Sequence, residues 1–471
     1  MTYAKGGILT DNPKDILINT AFRHDCDGAE IFINGLQIAD IAWVLTLKKA
    51  NVLNDTDDLL KALIDLKTFN LDPKYGDIYN SKNVALKELT NSAKDLHISR
   101  PRREAINIAF YLKLKDEVVN LSDTIKRLAK TFLEVAHREK NSIMPDFTYL
   151  QHAQPTTFGH YILTFLFPLL RDFERIELFY KHLNFSPAGS GSVNGCSFDI
   201  DREYLAKLLD FNNVELHTRD AMWRSDLPIE IIYILNSIMA NIARITDEFQ
   251  IFATAEFNMI KLPSSLSRAS VIMPNKQNPY ALTYIRGVSN EMMGKISSYI
   301  SYEKIISGNP DSRTFVYVDI IENIKKVIGA IDLFNAILKE MEVNRTILNE
   351  RVRNSFFYAT DIAEWLIKRY NLSYEEAHTE VGRVIRYMKE NMIEPKNIKS
   401  DFFKYKIDNL QELIDPEKSI KRKKGIGSVG DLMNIIKKAD LKIDNFQLEK
   451  SNFNFLENEL KVYGYDVKLT L

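Results

Sequence analysis

The sequence predicts an all-α protein organised around a bundle of unusually long helices. Three stretches carry that prediction. From Pro101 to about Lys140 no proline follows the first residue, and Ile106, Phe110, Leu114, Val118, Leu121, Ile125, Leu128 and Phe132 recur every three or four positions, which is the spacing of one helix face. At 1.5 Å per residue the run makes a rod of roughly 60 Å, longer than one compact domain needs. From about Thr156 to Leu183 a second rod is apolar around much of its circumference between Tyr161 and Tyr180, so it must be surrounded by other helices. At Asn278 and Pro279 a residue able to cap free N–H groups precedes one that fits a first helical turn, and a long helix to about Ile306 is expected to follow.

Taken in order, residues 1–100 form an N-terminal helical domain of short patterns such as Ile38, Ile41, Ala42, Leu45 and Leu59, Leu60, Leu63, Leu66. Residues 101–345 form the central bundle. Its other rods run from about Leu227, with Pro228 in the first turn, to Ile260, and from about Thr314 to Met341. Residues 346–438 return to shorter helices as a C-terminal domain, and 439–471 are a polar, aromatic-containing tail left unassigned. Rods of this length, apolar on most sides, imply a bundle to which further subunits contribute.

Composition narrows the function. With 62 basic and 63 acidic residues the net charge is −1, which gives no general attraction to nucleic acid or membrane. Cys26 and Cys196 stand far apart and make neither a CxxC pair nor a disulfide framework, as expected of a reducing cytoplasm. The start of the chain lacks the apolar core of a signal peptide, and Tyr161–Leu170, interrupted by Pro168, is too short to span a bilayer. No metal or nucleotide motif is present, so no cofactor is expected.

Three clusters of polar residues are candidates for chemistry. Ser270 lies six residues before Lys276, beyond Pro263 to Arg268, which shows no periodicity and reads as a mobile loop. Lys276 and Asn278 fall where the positive end of a helix dipole favours an anion. In Pro145 to Pro155, Thr148, Tyr149, Gln151 and His152 crowd what reads as a helix junction, where capping and turn duty are the plainer explanation. Arg100, Arg102 and Arg103 form a basic group in which a guanidinium fork suits a carboxylate; a solvated basic face is the alternative.

Ser270, Met273, Pro274, Lys276, Asn278 and Pro279 resemble the signature loop of the fumarase/aspartase superfamily, Gly-Ser-Ser-x-Met-Pro-x-Lys-x-Asn-Pro, with Ala269 and Val271 replacing the glycine and the second serine. Thr148 to Pro155 resembles its second motif. The run Ser186 to Gly195, I-D-R-E at Ile200 to Glu203, Ala359 to Leu366 and Glu375 to Gly382 are similar to the argininosuccinate lyase branch. The resemblance implies a three-domain fold whose homotetramer has a twenty-helix core, with each site built from three subunits. It also implies anti elimination of fumarate from an N-substituted aspartate, or the reverse.

In that scheme Ser270 is the base, with His152 a lesser rival. Lys276 and Asn278 stabilise the aci-carboxylate, and Arg102, Thr148, Gln151 and Arg103 bind the dicarboxylate. Tyr149 is the candidate acid, standing where the family has a histidine, while that histidine's glutamate partner is replaced by Thr283. Both halves of a pair change together, as in a rebuilt site. Arg224 and Ser225 stand where the family has Asp-Arg, and Gly308 to Arg313 only loosely resembles the family's Tyr-Asn-Arg-Asp-Leu-Gln segment. Argininosuccinate itself as substrate, or a non-catalytic binding protein, are the rival readings.

Overall fold

Five long helices run back and forth past one another, and the contacts at their ends fix which residues share an end. The structure, a computed structural model, describes residues 8–306, 308 and 311–471, excepting the side chains of 311–314. The N-terminal region supplies α1 (Ile33–Lys49) and α2 (Ile78–Leu89), and the first rod is α3 (Arg102–Arg138). A β-hairpin follows, β1 (Ile143–Thr148) and β2 (Gln151–Thr157), then α4 (Phe158–Leu163) and α5 (Leu166–Leu183). Next come α6 (Asp226–Phe252), β3 (Ile260–Lys261), β4 (Arg268–Ala269), β5 (Gln277–Asn278), α7 (Tyr280–Glu303), α8 (Asp311–Glu340) and β6 (Glu342–Val343).

The expected single rod from Thr156 to Leu183 is broken at Thr164 and Phe165. Pro168 is the cause: it has no N–H for the Thr164 carbonyl, and its ring crowds that turn. The rod expected to reach Ile260 stops at Phe252. There the Thr254 hydroxyl donates to Ile251 O (2.7 Å), Met259 N–H closes onto Phe252 O (2.8 Å), and Asn258 adopts φ +46°, so local bonds replace the next helical turn.

One end of the bundle gathers the start of α3, the end of α5, the start of α6 and the start of α8. Lys115 Nζ donates to Asn184 Oδ1 (3.0 Å), Asn107 Nδ2 to Ala221 O (3.4 Å), and Tyr317 OH to Asn107 Oδ1 (2.7 Å). At the other end Phe252 meets Phe147 and Tyr161, with ring centroids 6.0 and 5.6 Å apart, and Phe334 meets Phe132 and Phe249. The two-stranded sheet of β3 and β6 ties the end of α8 to the same place.

Two helices, Ala29–Lys49 and Asp226–Phe252, are long and apolar enough to cross a membrane, but 78% and 56% of their apolar windows are buried inside the protein. Both are core helices. A second, smaller core joins α9 (Ala359–Tyr370) and α10 (Tyr374–Glu390), with Val352, Ile362, Leu366, Val384 and Met388 at its centre. Residues 439–471, left unassigned by sequence, belong to the main core. There α11 (Leu432–Asn445) and α12 (Asn454–Val462) bury Ile443, Phe446, Leu456 and Leu460, and Phe446 stacks on Phe173 at 4.2 Å.

Candidate active site

Ser270 to Lys276 forms the tip of a small antiparallel ladder in which Arg268 faces Asn278 and Ala269 faces Gln277. The Ser270 hydroxyl accepts the Met273 N–H at 3.1 Å, and Lys276 N–H bonds Met273 O at 3.1 Å, which curls the tip on itself. Val271 is 103% and Ile272 87% exposed, so no described residue of the chain covers the apolar tip. Lys276 makes no ion pair or side-chain hydrogen bond among the described residues and is exposed.

Two expectations about this segment change. Asn278 does not cap the helix: it lies in β5, where its Nδ2 donates to Arg268 O at 3.1 Å, and Pro279 occupies the cap position ahead of Tyr280. Strand pairing with Arg268 competes successfully for the side chain, as an asparagine amide readily bonds nearby backbone. Pro263 to Arg268 is shaped rather than irregular, with a 3-10 turn at Ser264–Leu266 and Arg268 over the Tyr280 ring, 3.4 Å from its centroid.

Thr148, Tyr149, Gln151 and His152 stand on a β-hairpin, not at the helix junction expected. Thr148 pairs with Gln151 in register, and Tyr149 and Leu150 form the two-residue turn with φ +55° and +57°, the geometry that matches strand twist. Tyr149 is 99% exposed, and Thr148, Gln151 and His152 are exposed as well. His152 lies against Phe147, ring centroids 5.3 Å apart, and partial desolvation of the otherwise exposed ring, then the nearby Arg351 charge, hold its pKa below the ordinary value. Just beyond, Gly159 lets β2 and α4 dock on α3: a Cβ there would meet Ala136 O at 2.3 Å.

The arginine cluster divides. Arg100 is buried in ion-paired contact with Asp40, so it is not part of a solvated basic face. Arg102 Nη1 lies 3.2 Å from Asp77 Oδ2, and Asp77 Oδ1 also accepts the Asn80 N–H (2.8 Å) that caps α2. Burial pushes the Asp77 carboxyl up while Arg102 pulls it down. Arg102 and Arg103 line a cavity of about 50 Å³ with His24, Asp25, Asp77 and Tyr317.

On the same first turn of α3 the buried Glu104 carboxylate accepts N–H groups from Gly189 (2.7 Å) and Gly191 (3.0 Å), fastening the glycine run to the start of α3. Gly191 has φ +55°, and a Cβ on it would strike Gly195 O at 2.4 Å, so a side chain is barred there. Asp77 and Glu104 escaped the reading of the sequence. An aspartate directly before the α2 pattern was the available signal for the first, as an N-cap; for Glu104 the partners are 85 and 87 positions away and no local signal exists.

Arg224 is committed to its surroundings: Nη1 donates to His182 O at 2.9 Å, with Glu215 and Asp226 carboxylates at 3.6 and 3.5 Å. Ser225 lines a separate cavity of about 410 Å³ with His217, Arg219, Asp220, Trp223 and Glu303. Of the segment Gly308 to Arg313, Asn309, Pro310 and the side chains of 311–313 lie outside the described residues. Among the described residues no group of three or more His, Cys, Asp or Glu could hold a metal ion.

The candidate residues fall into sets at opposite ends of α3. Arg102 and Arg103 open the helix, whereas the Thr148 hairpin starts just past its close at Arg138. At 1.5 Å per residue the 37 residues of α3 separate them by about 54 Å. Ser270, Lys276 and Asn278 lie at the hairpin end, because α6 delivers the chain there and α7 leaves from it. One chain therefore does not bring the two sets of candidate residues together.

Comparison with known proteins now gives the family. The profile of the family described as "Lyase" matches residues 30–294, and that of "Argininosuccinate lyase C-terminal" matches 356–421. Argininosuccinate lyase of Archaeoglobus fulgidus is 28% identical over 97% of this chain and 98% of its own. That of Campylobacter jejuni (strain RM1221) is 30% identical over 87% and 89%. EDDS lyase in complex with formate has the same fold, with a TM-score of 0.80 at 19% identity over 98% of this chain and 95% of that one. An EDDS lyase variant with bound fumarate superposes at 0.78, again at 19% identity, over 98% and 96%. The chain thus belongs to the lyase family with the all-α fumarase/aspartase fold, in its argininosuccinate lyase branch, as a carbon–nitrogen lyase of the fumarate-releasing kind.

Proposed function

We propose that the protein is a cytoplasmic homotetramer that eliminates fumarate from an N-substituted aspartate, or adds an amine to fumarate, at sites shared between subunits. The separation of Arg102 from Ser270 and Lys276 along α3 carries this reading. Antiparallel copies bring the start of one α3 to the hairpin end of another. Exposed apolar residues on the bundle helices, among them Leu178, Tyr233, Tyr284, Met293 and Ile300, supply surface for such an assembly. In this arrangement residues 101–345 are the assembly domain, with 1–100 and the core around α9 and α10 at its ends.

Ser270 removes the proton from the carbon beside a carboxylate. A serine hydroxyl does so only when the flap shuts out water and a cation lies close. Closure supplies both, because Val271 and Ile272 give the tip an apolar face and Lys276 rides on the same loop. Lys276 and Asn278 then meet the extra charge of the aci-carboxylate. Arg102, Arg103, Thr148 and Gln151 hold the dicarboxylate. Tyr149, whose 99% exposure in its own chain leaves it available to a neighbouring subunit, gives its phenolic proton to the departing nitrogen. Arg224 and Ser225, standing where the family has Asp-Arg at the guanidino end, favour an amine other than arginine.

Mixing subunits tests this. Arg102→Ala and Ser270→Ala homotetramers should each be inactive on a panel of N-substituted aspartates followed by the ultraviolet absorbance of fumarate. Unfolding them together and refolding the mixture should restore a fraction of the parental rate, since some sites then receive neither substitution. A mixture as dead as its parts would sink the shared site.

A further inference from the structure

The loop that delivers Arg102 is tied to a buried charge cluster that touches no candidate site residue directly. Asp40 on α1, with no exposed surface, receives Lys82 of α2 on one carboxylate oxygen and Arg100, two residues before Arg102, on the other. Lys82 Nζ also donates to Leu36 O (3.1 Å), and Arg100 donates to Ala39 O (2.9 Å) and Tyr79 OH (3.0 Å). Trp43, one turn along α1, adds a hydrogen bond from Nε1 to Ile98 O at 3.2 Å and places its ring beneath the Arg100 guanidinium.

Three elements therefore meet at one carboxylate. Tyr79 and Lys82 sit on the first turns of α2, directly after Asp77, and Asp77 is the partner of Arg102. Whatever sets α2 against the entry to α3 also sets the direction of the Arg102 guanidinium. Buried ion clusters of this kind add little net stability compared with apolar packing, but breaking one leaves an uncompensated charge. Their effect is expected in geometry. Burial pushes Asp40 up, yet the two cations hold it below its ordinary value, so it remains a carboxylate.

We propose that Asp40, through Lys82 and Arg100, is a positioning residue for Arg102 that fixes how the enzyme grips the carboxylate of its dicarboxylate ligand. The proposal rests on Arg102 holding that carboxylate. Fumarate is the probe, titrated calorimetrically into the full-length protein. Lys82→Met leaves a neutral Asp40–Arg100 pair and is the variant suited to folding; Tyr79→Phe removes one hydrogen bond and no charge.

Lys82→Met should weaken fumarate binding and raise KM by about tenfold, the size of coupling within one network, with a smaller change in kcat. Tyr79→Phe should show the same pattern at about two- to threefold. In an Arg102→Ala background neither substitution should weaken binding further, because the group being positioned is gone. A folded Lys82→Met or Tyr79→Phe protein with parental fumarate affinity overturns the proposal, as does an equal loss in both backgrounds. If Arg102→Ala alone leaves fumarate affinity intact, the reading of Arg102 is what fails.

Discussion

Lys115 shows how much a single side chain can bias the molecule without touching the site. Its ammonium is buried beneath Phe211, donates to Asn184 Oδ1 and to the Asp210 carbonyl, and has the Asp210 carboxylate 3.7 Å away. Burial lowers its pKa from 10.5 to about 8, with Asp210 opposing. The folded chain thus binds fewer protons than the unfolded one between about pH 8 and 10.5, so this group makes stability rise with pH across that window. The drop corresponds to about 3 kcal/mol. The denaturation midpoint of the parent should rise relative to that of Lys115→Met as pH climbs through the window; parallel curves would contradict it. At the site, Ser270→Ala should lower kcat by about 10² to 10⁴. Folding stability should stay within about 1.5 kcal/mol, because only one loop N–H loses its acceptor. Tyr149→Phe should likewise reduce kcat while leaving the unfolding midpoint unchanged, as expected of an exposed side chain. Ser270 and Lys276 could be singled out as candidates because their spacing is local; Asp77 and Glu104 could not, because their partners come from distant segments.

The rods were legible where periodicity was long and uninterrupted, as in α3. They failed where short-range chemistry intervened: Pro168 split one helix, and the Thr254 to Met259 bonds ended another early. The hairpin was hidden for a related reason. Its turn is Tyr149–Leu150 rather than Asn-Gly, so neither residue announces the positive φ it adopts. A leucine in that region carries backbone strain of order 1 kcal/mol. Leu150→Gly should therefore raise thermal stability by up to about that amount, read by scanning calorimetry. If the strained turn aims Tyr149, the same variant should lose kcat, separating a stable hairpin from a useful one. At Gly159 the reverse holds: Gly159→Ala should cost about 1 to 3 kcal/mol, because α3 backbone occupies the space.

Across the whole molecule the last forty residues act as a strap. From α11 and α12 the chain returns to α3, α5 and the N-terminal region: Lys126 Nζ bonds Phe446 O, Lys130 pairs with Asp440 and Asp444, and Tyr465 OH reaches Asp57 O. Leu432, Ile443, Phe446, Leu456 and Leu460 are buried. At about 1.5 to 3 kcal/mol per side chain, losing them removes stabilisation comparable with that of a whole domain. Truncation before Leu432 should abolish soluble, cooperatively unfolding protein, as circular dichroism on heating will show; a truncated chain with parental unfolding would refute the strap. By itself the sequence determined the helical class, the extent of the one uninterrupted rod α3, the superfamily loop and the residues that resemble its chemistry, because these rest on spacing along the chain. Only the tertiary structure decided that Asn278 is a strand residue, that Arg100 is a buried anchor, that the final segment belongs to the main core, and that Arg102 stands about 54 Å along α3 from the hairpin. Those facts depend on which distant segments meet, and no local pattern encodes that.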